Sequence, residues 1–194
     1  MDTRSPLVVS THDLGRRAGA MRTLSTSVPA PADMGTEVIG VPLGAELDLD
    51  LTLQAVADGV LVTGTAGAPL HGECVRCLRD VDSSITVDVS ELYYYEGRKA
   101  ALTEEGDEEA EDLPELEGEL LDLEPTVRDA VVLALPFQPL CRADCAGLCS
   151  HCGVRLDDAE PGHHHEELDP RWAALGSLFA ENEGSDPEGG EEAR

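Results

Sequence analysis

Leu47, Leu49, Leu51 and Leu53 alternate with Asp48, Asp50, Thr52 and Gln54, the two-residue period of a strand with one buried and one wet face. Asp58-Gly59 follows, then Val60-Leu61-Val62-Thr63. Asp-Gly supplies the positive φ of a tight hairpin turn, so these two strands are expected to pair antiparallel. Ile85, Val87 and Val89 alternate with Thr86, Asp88 and Ser90, giving a further strand that runs toward Tyr93–Tyr95. Val38–Leu43 is a weaker strand candidate. The pattern predicts an antiparallel sheet as the core.

Two helices are expected beside it. In Pro125–Leu135, Val127, Ala130, Val131, Ala134 and Leu135 share one face, with Pro125 tolerated in the first turn and Pro136 ending the run. Val132 and Leu133 widen that face. Asp169-Pro170 caps a second helix with a Trp172, Leu175, Phe179 stripe, expected to dock on the chain's own sheet. The fold class is therefore α+β: an antiparallel sheet with two or three helices. No internal repeat is visible.

Charge changes this picture at its edges. The 194 residues carry 13 Lys+Arg against 40 Asp+Glu, a formal net charge of −27. Residues 104–124 hold twelve carboxylates and no base, and residues 181–193 add six more. The first block lacks the apolar residues that offset the entropy of ordering, so a flexible acidic loop is expected at about 99–120. The expected organisation is one domain over 1–180 and a disordered acidic tail over 181–194. The excess of acid disfavours a clamp on nucleic acid, which needs Lys and Arg to displace counterions, and docking on anionic lipid. It makes a basic protein the natural partner.

Charges interrupt the N-terminus where a signal peptide needs an apolar run. The longest uncharged apolar stretch, Ala130 to Cys141, holds two prolines and is too short to span a bilayer. The expected location is cytoplasmic. In a reducing compartment, paired cysteines point to metal or redox chemistry before disulfides.

The six cysteines are ordered Cys74-x2-Cys77 and Cys141-x3-Cys145-x3-Cys149-x2-Cys152, with His163-His164-His165 eleven residues later. A Cys-x2-Cys pair lets one turn present two thiolates to a tetrahedral metal, and a second turn completes the shell of structural zinc. Gly153 directly after Cys152 suits such a turn. One arrangement places Cys74, Cys77, Cys141 and Cys145 on one ion and Cys149, Cys152, His163 and His165 on a second. Another places all four cysteines of 141–152 on a single ion. Spacing does not choose between one zinc and two, and His164 is a further candidate. A thioredoxin-type pair needs a βαβ setting that is missing here. No Gly-rich phosphate loop, His-Glu-x-x-His helix or nucleophile elbow is present, and no set of three metal ligands stands with a general base. No catalytic residue is assigned.

Cys74-Val-Arg-Cys77-Leu78, Ala134-Leu-Pro136, Cys141-x3-Cys145-Ala-Gly147-Leu148-Cys149-Ser-His-Cys152-Gly153 and Asp169-Pro-Arg-Trp172-Ala-Ala-Leu175 together resemble the YceD family, bacterial and plastid proteins described as large ribosomal RNA subunit accumulation proteins. The likeness spans roughly residues 7–180. It implies a non-enzymatic role in ribosome biogenesis, supporting 23S rRNA accumulation and large-subunit assembly. Family genes often neighbour that of a small basic large-subunit protein, which implies a basic ribosomal protein or pre-ribosomal particle as partner. Relatives with histidines in place of Cys141 and Cys145 favour Cys74, Cys77, Cys141 and Cys145 as one site. Others carry Cys-x-Cys near His163 and His165, so this chain departs from them there. Two other readings are a zinc-ribbon adapter for an unrelated basic protein and a redox or hydrolytic zinc enzyme. Direct RNA contact through Arg16, Arg17, Arg22, Arg76 and Arg79 is not favoured.

Overall fold

The computed structural model describes residues 3–104 and 112–165. The Trp172 helix and the acidic tail expected from the sequence lie outside the described residues. The chain divides into two compact units, Met1–Ala146 and Gly147–Arg194. The first contains β1 (Val8–Ser10), β2 (Met21–Pro29), β3 (Ile39–Gly40), β4 (Glu46–Ala55), β5 (Gly59–Glu73), β6 (Asp80–Tyr94), α1 (Arg98–Glu104), β7 (Leu120–Asp122) and α2 (Glu124–Ala134).

The antiparallel sheet is built on the leucine alternation. β4 pairs with β2 on one side, Leu51 facing Leu24, and with β5 on the other, Leu53 facing Val62. β5 and β6 pair over fifteen residues, from Gly59↔Tyr94 to Glu73↔Asp80. The short β3 continues β4's edge of β5 at Ile39↔Gly72. β1 and β7 form a separate two-stranded ribbon. One sheet face is core: Leu47, Leu49, Leu51 and Leu53 from β4, Val60, Val62, Ala66 and Leu70 from β5, and Val87 and Val89 from β6 are all buried. Each fully buried leucine or valine stabilises the fold by roughly 1.5–3 kcal/mol relative to exposure.

α2 presents Val127 and Val131 to this core. Its N-terminal end is tied to the sheet by Tyr93, whose hydroxyl donates to the Asp122 carbonyl at 2.8 Å and receives the Thr126 hydroxyl at 2.6 Å. Burial pushes the Tyr93 pKa up to about 12, so it is a neutral donor at all physiological pH. The helix ends where Leu135 turns extended, as the residue before a proline prefers. Leu133, expected to widen the apolar face, is exposed.

Two expectations change, and the expected acidic loop is described only at its two ends. The β4–β5 hairpin exists, but neither Asp58 nor Gly59 has positive φ. Gly59 is required instead by close approach, since a Cβ there would lie 2.0 Å from the Tyr93 carbonyl oxygen. The Val38–Leu43 strand shrinks to the two residues of β3. The stretch 99–120 carries most of α1 at its start and the buried Leu116 near its end, where Leu116 N–H donates to the Tyr94 carbonyl. Leu116 supplies the apolar anchor that the carboxylates around it lack.

The other sheet face is polar and anionic. A row Ser25–Asp50–Thr65–Asp88 crosses it from β2 to β6, and β4, β5 and β6 contain no lysine or arginine. At one end His71 Nδ1 meets Asp82 Oδ1 at 2.8 Å across the ladder. That hydrogen bond, then the Asp82 charge, raises the His71 pKa. Stabilisation from the pair is thus complete below the ordinary histidine pKa of about 6.5 and lost as pH rises through the raised value. An NMR titration is expected to place His71 above an unpaired histidine and Asp82→Asn to bring it down. An unchanged midpoint in that variant would remove the assignment.

Candidate metal centres

The turn between β5 and β6 is itself the first Cys-x2-Cys. Cys74 N–H donates to the Arg79 carbonyl at 2.8 Å, and Leu78 N–H returns to the Cys74 carbonyl at 2.9 Å. Leu78 takes φ +55°, a left-handed conformation unusual for a leucine. The second pair repeats the design. Cys149 N–H donates to the Val154 carbonyl at 2.8 Å, Gly153 N–H to the Cys149 carbonyl at 2.9 Å, and Gly153 has φ +71°. Both turns therefore aim two thiols to the same side of the backbone, one with the glycine that the geometry favours and one without.

In the Met1–Ala146 unit, Cys74, Cys77, Cys141 and Cys145 come together with all four sulfurs within 4.8 Å of one another. Cys74 and Cys145 sulfurs are 3.8 Å apart, Cys77 and Cys141 sulfurs 3.6 Å. A disulfide requires about 2.0 Å, whereas a zinc–sulfur bond of about 2.3 Å in a tetrahedron separates the sulfurs by about 3.8 Å. The spacing is that of metal ligands. Cys74, Cys77 and Cys145 are buried and Cys141 reaches the surface. The segment after α2 is held against the turn by Val75 N–H donating to Pro139 O and by Arg76 Nη1 donating to Cys145 O, both at 3.0 Å.

In the Gly147–Arg194 unit, Cys149, Cys152, His163 and His165 form a second group, again within 4.8 Å. Cys152 Sγ lies 3.4 Å from His163 Nε2, which lies 3.1 Å from His165 Nε2. Tetrahedral bonds of about 2.3 Å to sulfur and about 2.0 Å to nitrogen put such pairs at about 3.3–3.5 Å. His164 is turned away, its Nδ1 2.8 Å from the Gly162 carbonyl. The fold thus brings all eight candidate ligands together as two groups of four, and places Cys141 and Cys145 with the distant Cys74 pair.

The electrostatics of both groups favour a bound cation. Burial pushes the Cys74 thiol up, but the backbone N–H groups of Cys141, Arg76 and Cys77 together outweigh it and bring the pKa down to about 6. Backbone N–H groups of Cys152 and His151, then the His163 side chain, bring Cys149 down to about 6. Cys141 is pushed up to about 12, first by desolvation of its sulfur and then by hydrogen bonds with Cys77, Cys145 and Cys74. In the first group, one lowered thiol beside one raised thiol is what anions crowded without a counter-charge produce, and a divalent ion permits its ligands to ionise together. Soft thiolate and imidazole donors in a tetrahedron are a donor set that suits a borderline-soft ion such as zinc. Sequence reasoning missed the supporting amides and the Arg76 anchor; the arginine between the two cysteines was the available signal.

Several arginines weighed for RNA contact are engaged within the chain. The Arg16 guanidinium carbon stacks 4.9 Å from the Tyr95 ring centroid, Arg22 donates to the Ser10 carbonyl and Arg76 to Cys145. Among the described residues, no helix is long and apolar enough to cross a membrane.

A family model described as "Large ribosomal RNA subunit accumulation protein YceD" matches residues 62–179, which include all eight candidate ligands. An uncharacterized protein of Mycobacterium tuberculosis (strain H37Rv) is 49% identical over 171 residues, covering 88% of this chain and 80% of its own. An uncharacterized protein of Mycobacterium leprae is 41% identical over 176 residues, covering 91% and 79%. No solved structure matches the chain.

Proposed function

The chain belongs to the YceD family of large ribosomal RNA subunit accumulation proteins, and from that premise we propose that it is a non-enzymatic assembly factor supporting 23S rRNA accumulation. Family membership is the observation that carries this reading. Zinc is the proposed occupant of both four-residue groups, Cys74, Cys77, Cys141 and Cys145 on one ion and Cys149, Cys152, His163 and His165 on the other. It serves as a cross-link: four protein ligands fill a tetrahedron and leave no open position for water or substrate.

The partner we propose is a basic large-subunit ribosomal protein, alone or within a pre-ribosomal particle in the cytoplasm. The outward sheet face supports it. Glu46, Asp48, Asp50, Asp80, Asp82 and Asp88 are exposed there among short hydroxyl side chains, on strands with no fixed positive charge. Such a face attracts lysine- and arginine-rich surfaces and repels RNA phosphate.

A tagged chain is expected to sediment with large-subunit precursors, to recover ribosomal proteins as its dominant partners, and to sustain 23S rRNA levels that fall when it is deleted. Absence from every precursor fraction together with normal 23S levels would overturn the proposal. Reversing charge with Asp48→Lys and Asp50→Lys, both exposed, is expected to reduce recovery of the basic partner about tenfold or more at low salt, with the fold unchanged. Undiminished recovery would move the contact away from this face.

A further inference from the structure

We infer that the two metal groups have unequal duties: Cys149, Cys152, His163 and His165 form an exchangeable zinc site whose occupancy decides whether residues 147–165 are folded, while the sheet stays folded regardless. The inference rests on zinc as the proposed occupant of both groups and goes beyond it by assigning each ion a separate fate.

The first observation is what surrounds each group. Cys74, Cys77 and Cys145 are only 0%, 1% and 2% exposed. They are held by a fifteen-residue strand pair and by hydrogen bonds from Val75 and Arg76. By contrast, no residue from Leu148 to His165 is buried. Among the described residues, that stretch is closed by the isolated bridge Leu148↔Arg155 and by turn hydrogen bonds such as Leu156 N–H to the Gly147 carbonyl. A lone hairpin without a core is marginal in water, and so small an element needs a metal to offset its ordering entropy. Besides the ligand atoms themselves, the His151 and His165 rings, 5.0 Å between centroids, bring the histidine pair to the cysteine pair.

The second observation is access. Cys152 and His165 are exposed, and Cys149 and His163 half-exposed. A groove of roughly 420 Å³ opens against Cys152 and His163, walled by Val154, Asp158 and Pro161. Zinc leaves a site by handing its bonds one at a time to an incoming ligand, which must reach the ion. Such a ligand meets two exposed donors here, whereas at the first group Cys141 alone reaches the surface and the other three sulfurs are buried. Opening around 147–165 is local, whereas opening around Cys74 requires the end of the β5–β6 pair to come apart.

The test uses the full chain loaded with zinc and challenged with excess 4-(2-pyridylazo)resorcinol, following metal release by absorbance and amide protection by hydrogen-exchange mass spectrometry. One ion is expected to leave about a hundredfold faster than the other, in line with the spread between local and global opening. Peptides over 147–165 are expected to lose protection with that first ion, while β4 and β5 keep theirs. Cys152→Ser is expected to abolish the fast phase alone and Cys77→Ser the slow one. Release of both ions in one phase, persistent protection of 147–165 after the first, or a fast phase abolished by Cys77→Ser would each overturn the inference. A chain that takes up no zinc overturns the zinc proposal as well, a single slow ion insensitive to Cys152→Ser overturns this inference together with zinc at the second group, and two ions released in one phase overturn this inference alone.

Discussion

Cys74→Ser is expected to leave the purified chain with one zinc ion instead of two and to lower the stability of the sheet by several kcal/mol. The scale follows from zinc-finger peptides, where a structural zinc contributes about 10–16 kcal/mol of apparent binding free energy that is also folding free energy. A hydroxyl in place of the Cys74 sulfur weakens the metal and leaves three thiols crowded together, Cys77 and Cys145 of them buried. It also gives the amides of Cys141, Arg76 and Cys77 a neutral, smaller hydroxyl in place of an ionisable sulfur acceptor. Elemental analysis reads the stoichiometry and thermal unfolding reads the stability. Cys141→Ser changes the ligand at the surface, so it is expected to fold at moderate temperature and still lose the ion. Two ions retained in both variants would refute the four-cysteine site.

Leu53→Ala is expected to cost about 2–5 kcal/mol through the lost transfer energy and the cavity left behind. Leu53 is fully buried at the centre of the sheet, between Arg22 of β2 and Val62 of β5. For a unit of this size, the loss corresponds to a fall in Tm of roughly 5–15 °C, with both zinc ions retained. A change under 1 kcal/mol in chemical denaturation would show that the leucine row of β4 is not the structural core. The contrast is diagnostic: one substitution removes metal and stability together, the other stability alone.

The sheet was legible wherever one face is fully buried. Strict alternation marks β4 and the second half of β6, and both were found from it. β2 was missed because it is an edge strand whose inward positions read Arg22, Leu24, Thr26 and Val28, half of them not apolar, so its period is diluted. β1 and β7 are three residues each and pair with partners more than a hundred positions away, beyond the reach of any local pattern. Gly59 was recognised as special for the wrong reason, because close approach by Tyr93 comes from β6 and is invisible along the chain. The eight candidate ligands were all legible from spacing. Their partition was not, since it depends on the β5–β6 turn and the segment after α2 arriving at one place.

That separation has a consequence for how the protein is made. Cys77 precedes Cys141 by 64 residues, which a ribosome adds in about 3–13 s at 5–20 residues per second. During that interval the hairpin can form and its turn offers two thiols with no second pair to meet them. The buried site therefore closes late, after α2 has been synthesised, and closing it certifies that hairpin and helix have both reached their native places. A nascent chain stalled before Cys141 holds half a site, open to the solvent and to any thiol-reactive agent near the exit tunnel.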